Sequence, residues 1–305
     1  MKKKVLIIGY GSVGRKHASI LKKFSNISKI YILTKQICLG FKKLNYFHQI
    51  KKINPDYIII CSRTADHLKH IRYIEKYFSK KIILVEKPLF HKYKNFLVKN
   101  NKIFISYNLR FNPIVSFLKK IKNKNKFYSA KLSCSSYLPD WRKNRNYAQT
   151  YSAKKEMGGG VLLDLSHEID YIQWIFGKIN SLEYAKILKI SNLNLDVEDY
   201  AHIVGRIKKL NITVDLNFFS KLNYRKIFLD SNLLSIQGDL LKNELIIFNK
   251  KNSQSKKIRF KKINTYYEVH KSILKESFSK LCSYERGKEL MLLIDKIKKY
   301  KQNIL

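Results

Sequence analysis

The chain has 305 residues, of which 45% are hydrophobic and 13% aromatic, enough to build more than one packed core. Its formal net charge is +40, from 62 Lys and Arg against 22 Asp and Glu. The lysines are dispersed along the chain with abundant Asn and Ile, as in AT-rich genomes, and this argues against the clustered basic footprint of a nucleic-acid-binding protein.

Up to about residue 110 the sequence alternates short β-branched runs with amphipathic stretches. The runs predict strands at Val5–Ile8, Lys29–Leu33, Tyr57–Cys61, Lys81–Val85 and Ile103–Ser106. The clearest helices are Arg15–Phe24 and Ala65–Phe78. This alternation is typical of parallel strands joined by crossover helices, so we predict one α/β domain over residues 1–110 with a parallel sheet covered on both faces.

Beyond residue 110 alternating polar and apolar segments predict a mainly antiparallel sheet. These segments are Phe127–Tyr137, Leu182–Ile190, Tyr200–Ile207, Ile212–Phe219, Ile227–Leu229, Leu233–Gln237 and Glu244–Phe248. Helical periodicity is found at Pro113–Lys122, Gly160–Phe176 and Tyr267–Tyr300. We predict an α+β domain over residues 111–305 with an open sheet, whose helices from about residue 267 pack back on the first domain.

The turn after the first strand carries the pattern of a dinucleotide-binding loop. Strand Val5–Ile8 runs into Gly9-Tyr10-Gly11-Ser12-Val13-Gly14 and then into a helix. In such a turn the first glycine permits the tight bend, the second lets a pyrophosphate approach the backbone, and the third allows close helix–strand packing. Ser12 and Val13 stand at the helix N-terminus, where amides favour anions. This predicts a Rossmann domain; a ligand-free glycine turn is the alternative.

The end of the second strand bears on which dinucleotide is bound. An Asp or Glu usually stands there to bond the adenine ribose hydroxyls, but this chain has Thr34, Lys35 and Gln36. A hydroxyl, an ammonium and an amide suit a 2′-phosphate better than a carboxylate does. We therefore expect NADP or NAD as cofactor, with a preference for NADP.

The cysteines and the apolar runs exclude two further classes of protein. Cys38, Cys61, Cys134 and Cys282 lack the paired spacing of a metal or disulfide framework, so we expect free thiols and no metal. The apolar runs are strand-sized and fall short of the roughly 18 to 20 residues of a membrane span. We expect a cytoplasmic protein without a membrane partner.

Three further segments share their pattern with a known family. They are Val85-Glu86-Lys87-Pro88, residues 107–113 (YNLRFNP) and residues 158–170 (GGGVLLDLSHEID). Together with the glycine turn, their order and spacing resemble the glucose-fructose oxidoreductase/inositol dehydrogenase/rhizopine-catabolism (Gfo/Idh/MocA) family. The resemblance runs nearly end to end and implies a nicotinamide-dependent oxidoreductase.

By that resemblance Lys87 lies beside the nicotinamide and takes part in proton transfer, with Glu86 in the cofactor site. Removing a hydroxyl proton as a hydride leaves carbon requires a base, and a lysine near a cationic ring releases its proton more readily. The family also implies a cis Lys87–Pro88 bond. Without this context, any single lysine of such a basic chain would be interpreted as a solvated surface charge.

His167 matches the family's catalytic histidine, which contacts the reacting oxygen and relays the proton. Asp164 precedes it by three residues and Asp170 follows by three, so the sequence predicts that all three share one helix face. Many family members have the aspartate four residues before the histidine, whereas Asp164 stands three residues before His167. The shorter spacing weakens the catalytic assignment of Asp164 more than that of His167.

The resemblance also assigns cofactor and substrate contacts. Ser62, Thr64 and His67, after the third strand, would line the cofactor, with Arg63 interpreted as a solvated cation. Substrate contacts are expected from Arg110, Trp141, Tyr147, Tyr151, Asp164 and His167, in part within the aromatic and basic stretch 141–147 that includes Lys143 and Asn144. A solvated basic loop is the alternative interpretation of this stretch.

These features together predict an NAD(P)-dependent dehydrogenase or reductase. It would transfer a hydride to or from a hydroxyl or carbonyl carbon of a sugar, aminosugar, polyol or nucleotide-sugar, with surface-glycan metabolism as one setting. A redox-neutral enzyme with a tightly held cofactor, a non-catalytic dinucleotide sensor and a nucleic-acid-binding protein are the alternatives. An open sheet exposes one face, so a homodimer or homotetramer is expected.

Overall fold

The computed structural model describes residues 2–142 and 145–300. Their contacts divide them into two compact units. The first comprises the described residues up to Asn108 together with Asn264–Met291, and the second comprises Leu109–Ile263 together with the described residues from Leu292 onward. The domain boundary predicted after residue 110 stays a prediction.

The first part of the chain alternates strands and helices. Its elements are β1 (Lys3–Ile8), α1 (Ser12–Leu21), β2 (Ile27–Leu33), β3 (Lys42–Leu44), α2 (Gln49–Ile53), β4 (Tyr57–Ile60), α3 (His67–Tyr77), β5 (Ile82–Val85) and β6 (Lys102–Ile105). The continuous apolar runs of β1 and β4 are fully buried, as expected for a sheet covered on both faces.

The middle of the chain is rich in strands. Its elements are α4 (Pro113–Ile121), β7 (Phe127–Ser135), α5 (Val161–Asp164), α6 (His167–Phe176), β8 (Ser181–Leu188), β9 (Tyr200–Ile207), β10 (Leu210–Asn217), β11 (Tyr224–Ser231), β12 (Leu234–Asp239), β13 (Glu244–Asn249) and β14 (Gln254–Arg259). The described tail forms α7 (Thr265–Leu274), β15 (Cys282–Ser283) and α8 (Tyr284–Lys298).

The sheet of the first unit has the strand order β15-β6-β5-β4-β1-β2-β3. All neighbours are parallel except β15, which pairs antiparallel with β6. Read from β3 to β6, this is the 3-2-1-4-5-6 order of doubly wound dinucleotide-binding folds. Its switch point lies between β1 and β4: β2 and β3 follow on one side of β1, and β4, β5 and β6 follow on the other.

The connection from β5 to β6 contains no helix among residues 86–101. The first turns of α8 instead cover the sheet at β6. A side chain at Gly287 would come within 2.7 Å of Ile105 and 3.3 Å of Leu89. The Tyr284 hydroxyl also donates to the carbonyl of Phe96 at 2.9 Å. A distant helix therefore shields the apolar surface that a crossover helix usually covers.

The sheet of the second unit has eight strands in the order β14-β13-β12-β11-β7-β10-β9-β8. Its pairings are antiparallel except that of β7 with β10, which is parallel. One face carries exposed apolar side chains, among them Tyr128, Ile246 and Phe248. The predicted fold class, a parallel Rossmann sheet followed by an open and mainly antiparallel sheet, is confirmed; the homo-oligomer stays a prediction.

Two predicted helices are interrupted. The single helix predicted over Gly160–Phe176 is wrong, because α5 ends at Asp164 and α6 begins at His167. Ser166 lies at the break, where its hydroxyl donates to the carbonyl of Leu163 at 2.8 Å and competes with the helical pattern. The predicted helical tail is likewise divided by β15. Asp164 and His167 therefore do not share a continuous helix face.

No helix within residues 2–142 and 145–300 is long and apolar enough to cross a bilayer. All four cysteines are free thiols, and Cys61 alone among them is partly exposed.

Candidate functional site

A cleft of about 590 Å³ lies in the first unit at the carboxyl ends of β1, β2 and β4. In open parallel sheets this switch-point crevice is where ligands bind. Five of the predicted cofactor residues line it: Gly9, Gly11, Thr34, Lys35 and Ser62. The remaining ones, Ser12, Val13, Gly14, Thr64, His67, Glu86 and Lys87, do not line this cleft.

The three glycines of the turn have different surroundings. Gly9 has a φ of +96°, and a Cβ there would lie 2.7 Å from the carbonyl oxygen of Cys61. A Cβ on Gly14 would lie 2.3 Å from the carbonyl oxygen of Gly9. A Cβ on Gly11 would meet nothing within 4 Å. The first and third glycines are thus required by packing, whereas the second leaves open space in the cleft.

Two cations stand near the end of β2. Lys35 lines the cleft and is exposed. The Arg15 side chain donates from Nη2 to Oε1 of Gln36 at 3.2 Å and from Nε to the carbonyl of Tyr10 at 3.3 Å. The backbone N–H of Gln36 in turn donates to the Thr34 hydroxyl at 3.1 Å. Arg15 was not predicted from the sequence; its position directly after the last glycine is the signal that could have found it.

Ser62 and His70 form a polar pair on the β4 side of the cleft. The Ser62 hydroxyl lies 2.9 Å from Nδ1 of His70. Burial lowers the pKa of His70 to about 4, so the ring is neutral near pH 7. A neutral ring beside a hydroxyl offers a hydrogen-bonding surface without adding charge. His70 follows His67 by one helical turn and was not predicted.

His67 and Thr64 are buried and do not line the cleft. His67 is 1% exposed, and burial lowers its pKa. Its Nδ1 lies 3.2 Å from the carbonyl oxygens of Pro88 and Leu89, and its Nε2 lies 3.1 Å from that of Ser62. This ring therefore links the loop after β4 to the segment after β5.

Lys87 emerges from an otherwise buried stretch. From residue 83 to residue 90 every side chain is buried except that of Lys87, which is half-buried. Glu86 before it is 7% exposed, and the Lys87–Pro88 peptide bond is cis, as the family resemblance implies. The contacts of Glu86 and His67 hold both sides of this segment in the first unit.

His167 is likewise a half-buried residue within a buried stretch, here in the second unit. From residue 158 to residue 172 every residue is buried except His167, which is half-buried at the start of α6. Asp164 is 3% exposed at the end of α5. The catalytic roles predicted for Lys87, His167 and Asp164 stay predictions, as do the predicted contacts to cofactor and substrate.

Two buried ion pairs hold α6 in place. The Arg110 guanidinium donates from Nε and Nη2 to the two carboxylate oxygens of Asp170, at 2.9 Å and 2.6 Å. Glu168 lies 2.8 Å from Nε of Arg225 on β11. Burial by itself lowers the pKa of Arg225, but the Glu168 carboxylate raises it above its ordinary value. Arg110, predicted as a substrate contact, is thus engaged by Asp170 three residues beyond His167.

The aromatic stretch before the triple glycine is held by internal contacts. Trp141 Nε1 donates to the Ser136 hydroxyl at 2.7 Å, and the Tyr147 hydroxyl accepts from the Asn194 amide at 3.0 Å. A Cβ on Gly159 would lie 2.3 Å from the carbonyl oxygen of Tyr151, so this glycine allows the loop to pack closely. Lys143 and Asn144 of the same stretch lie outside the described residues.

The segment after β3 completes the cleft and was missed by sequence reasoning. Asn45, Tyr46 and Phe47 line the cleft. The Phe47 ring lies 5.0 Å from that of His70, and 5.0 Å from that of Tyr73. A three-residue strand is too short for its period to be recognised, and the neighbouring aromatic residues were the available signal.

Comparison with known proteins identifies the second unit. Residues 129–239 match the family model described as the GFO/IDH/MocA C-terminal domain. This confirms the family resemblance recognised in the sequence. The matched segment includes most of β7, then α5, α6 and the strands from β8 to β12. It therefore contains His167 and both buried ion-paired carboxylates of α6.

One sequence relative matches part of the chain, and solved structures share its fold. An uncharacterized oxidoreductase of Synechocystis sp. is 29% identical over 110 residues, a match that spans 33% of this chain and 30% of that protein. A levoglucosan dehydrogenase in complex with NADH superposes with a TM-score of 0.82 at 17% identity, over 98% of this chain and 96% of its own. The WlbA dehydrogenase of Bordetella pertussis, in complex with NADH and UDP-GlcNAcA, gives 0.78 at 12% identity, over 100% and 98%.

Proposed function

We propose that this protein is a nicotinamide-dependent oxidoreductase. It transfers a hydride between the cofactor and a hydroxyl or carbonyl carbon of a sugar, aminosugar, polyol or nucleotide-sugar. The observation that carries this proposal is that Lys87 and His167 are the half-buried exceptions in two otherwise buried stretches. Titratable groups exposed from a buried framework are suited to proton transfer. Structures of the same fold, a levoglucosan dehydrogenase and WlbA, support a sugar-like substrate.

The residues of the cleft fit a dinucleotide. Gly11 leaves open space, and the first-turn amides of α1 at Ser12 and Val13 offer donors to a pyrophosphate. Tyr46 and Phe47 provide an apolar wall for an adenine ring, and Ser62 provides a hydroxyl. The bound cofactor supplies the hydride acceptor or donor. The chain itself contributes binding, orientation and proton transfer.

Proton transfer is assigned to Lys87 and His167. Oxidation of an alcohol requires removal of its hydroxyl proton, and reduction of a carbonyl requires its delivery. We assign the Lys87 amine to hold that proton and the His167 ring to bond a substrate oxygen. Asp164, Tyr147 and Tyr151 remain proposed contacts in the second unit. Arg110 holds Asp170 and thereby the start of α6.

A direct assay tests the proposal. Purified protein is incubated with NADP⁺ or NAD⁺ and a panel of polyols, sugars and nucleotide-sugars, and absorbance at 340 nm is followed. We expect a rise with at least one class of substrate. Cofactor that copurifies with the protein, together with product formation but no net absorbance change, would indicate the redox-neutral alternative. Dinucleotide binding without turnover of any panel member would support the sensor.

A substitution in the glycine turn is expected to affect dinucleotide binding without affecting stability. Replacing Gly11 by alanine is expected to leave the free energy of unfolding within about 0.5 kcal/mol, because its Cβ has open space. The same change is expected to weaken dinucleotide binding at least about tenfold, because the Cβ occupies the path of the pyrophosphate. Isothermal titration and urea unfolding measure the two effects.

Gly14→Ala is the matched control for this experiment. Its Cβ would lie 2.3 Å from the carbonyl oxygen of Gly9, so this variant is expected to lose stability. Equal dinucleotide affinity in wild type and Gly11→Ala would contradict the assignment of the cleft.

A preference for NADP over NAD is the finer part of the proposal. Lys35 lines the cleft, Arg15 bonds Gln36, and residues 34–36 contain no carboxylate. We expect a higher kcat/KM with NADP than with NAD, and a loss of about fivefold to tenfold for NADP alone in Lys35→Ala. Lys29→Ala, at an exposed position on β2, is the control. A wild-type protein that prefers NAD would refute this preference.

A further inference from the structure

The connection between β8 and β9, residues 189–199, bonds the segment that precedes α5 at three places. We call these residues the β8–β9 loop. Its hydrogen bonds join Asn194 to the Tyr147 hydroxyl at 3.0 Å, Asp196 to Ala153 at 3.1 Å, and Glu198 to Val161 at 3.0 Å. The contacts advance along both segments in the same order. Residues 147–161 are therefore held along their length by one neighbouring loop.

Asp196 makes the central contact with both its backbone and its side chain. Its backbone N–H donates to the carbonyl of Ala153, and its carboxylate accepts from the backbone N–H of Lys155 at 2.6 Å. A hydrogen bond with an ionised acceptor is shorter and stronger than a neutral one. Asp196 is exposed, so its side chain fills no space in the core. The carboxylate at this position thus serves the bond to Lys155.

Glu198 makes the last contact, and its side chain is held as well. Its carboxylate lies 3.3 Å from Nζ of Lys298 near the end of α8, and the two side chains are 13% and 32% exposed. Gly160 has a φ of +113°, and a Cβ there would overlap the Glu198 carboxylate. Gly160 therefore leaves the space that this carboxylate occupies at the start of α5.

The segment before α5 is folded back on itself. The backbone N–H of Gly160 donates to the carbonyl of Ser152 at 3.1 Å. Ser152 and Ala153 are buried, at 2% and 0% exposed. A displacement of residues 153–155 would therefore move the glycine turn that starts α5, and it would move Tyr151 as well.

The first part of the held segment is accessible. Of residues 145–151, only Ala148 is buried, and Tyr147 and Tyr151 are half-buried. These two tyrosines are proposed contacts to the substrate. The β8–β9 loop therefore holds side chains that a ligand can reach, in addition to the buried residues that follow them.

We propose that Asp196 and Glu198 are positioning residues for substrate binding. They hold the segment that carries Tyr147 and Tyr151 and thereby place these side chains against the substrate. The inference rests on the substrate contacts assigned to these tyrosines in the proposed function. When the contacts of the loop are lost, the segment must be ordered at the moment of binding, and this cost raises the KM for the substrate.

Hydrogen exchange read by mass spectrometry tests the contact of Asp196 without a ligand. Asp196→Ala removes the acceptor of the Lys155 N–H, so peptides that cover residues 151–157 are expected to exchange at least about threefold faster. Asp196→Asn keeps an oxygen acceptor and is expected to recover most of the wild-type rate.

Asp239→Ala is the matched control. The Asp239 carboxylate accepts from the backbone N–H groups of Leu241 and Lys242, each at 3.0 Å, at a different turn of the same unit. This variant is expected to leave the exchange of residues 151–157 at the wild-type rate, although it too removes a carboxylate bonded to the backbone.

Steady-state kinetics test the effect on the substrate. With a substrate from the absorbance assay, Asp196→Ala is expected to raise its KM at least about threefold and to leave kcat within about twofold. The KM for the dinucleotide is expected to stay at its wild-type value, because the cleft lies in the first unit. Asp196→Asn is expected to recover most of the substrate KM, and Asp239→Ala to leave it unchanged.

A pair of lysine variants tests Glu198. Lys298→Met removes the cation that holds the Glu198 carboxylate, and it is expected to raise the substrate KM by less than Asp196→Ala does. Lys296→Met, at an exposed position on the same helix, is the control. Equal substrate KM values in these two variants would refute the role of Glu198.

An unchanged substrate KM in Asp196→Ala, in protein whose residues 151–157 exchange faster, would overturn the proposal, because the segment would be loosened without effect on binding. Unchanged exchange in the same variant would overturn it at an earlier step, since Asp196 would then hold nothing. A failure of the proposed function is distinct from both. It would appear in the wild-type protein as no turnover of any panel member, whatever the exchange rates.

Discussion

Replacing Lys87 by alanine is expected to reduce turnover by about 10²- to 10⁴-fold, the range that positioned general acid–base groups contribute. Dinucleotide affinity is expected to stay within a few fold, since Lys87 does not line the cleft. Steady-state kinetics at 340 nm and isothermal titration measure these two quantities. The loss should fall on kcat and kcat/KM together, because the proton is transferred only in the transition state.

Lys87→Arg distinguishes proton transfer from simple charge. Arginine keeps a positive charge but does not deprotonate in proteins, so this variant is expected to be nearly as impaired as alanine. Lys76→Ala, an exposed lysine on α3, controls for loss of one charge from this basic chain. Near-normal activity of Lys87→Ala would refute the assignment, and full activity of Lys87→Arg would reduce the role to electrostatics.

Replacing Asp170 by alanine is expected to lower the free energy of unfolding by about 3–5 kcal/mol. The Arg110 guanidinium would then stay buried without its carboxylate, since the two side chains are 6% and 4% exposed. The start of α6, with His167 three residues before Asp170, would lose one of its two ionic anchors. Urea unfolding measures the loss of stability, and kcat measures the displacement of His167.

A double replacement separates the cost of an unpaired charge from the value of the pair. Arg110→Met with Asp170→Leu is expected to recover much of the stability that Asp170→Ala loses, because a buried ion pair and an apolar pair have similar net stability. Glu183→Ala removes a carboxylate from a partly exposed ion pair, in which Glu183 is 32% and Arg206 55% exposed, and is expected to cost about 1 kcal/mol or less. Equal losses in Asp170→Ala and Glu183→Ala would contradict this account.

The parts of the candidate site that could be predicted from the sequence are local. Gly9, Gly11 and Gly14 lie within one strand–turn–helix unit, so their spacing alone predicts their packing. Lys87 and His167 were found because their neighbours form recognisable patterns. Asp164 was predicted to share a helix face with His167, but the chain breaks between α5 and α6, and hydrophobic periodicity does not register a break of two residues.

Other parts of the site depend on contacts between distant segments. Arg15 reaches Gln36 across 21 positions, and Phe47, in the segment after the short strand β3, packs on His70. Arg110 was expected to contact substrate, but its partner Asp170 lies 60 positions away and holds it in a buried pair. No local sequence pattern predicts such partners, because burial and pairing follow from the packing of the whole unit.

The amino-acid sequence by itself determined the classes of structure and the turn that suits a dinucleotide, since hydrophobic period and glycine spacing act over a few residues. Tertiary structure alone decided which polar groups meet in the interior. The hydrogen bond between His17 of α1 and His270 of α7 is the clearest case, because these two rings meet only when the whole unit has packed.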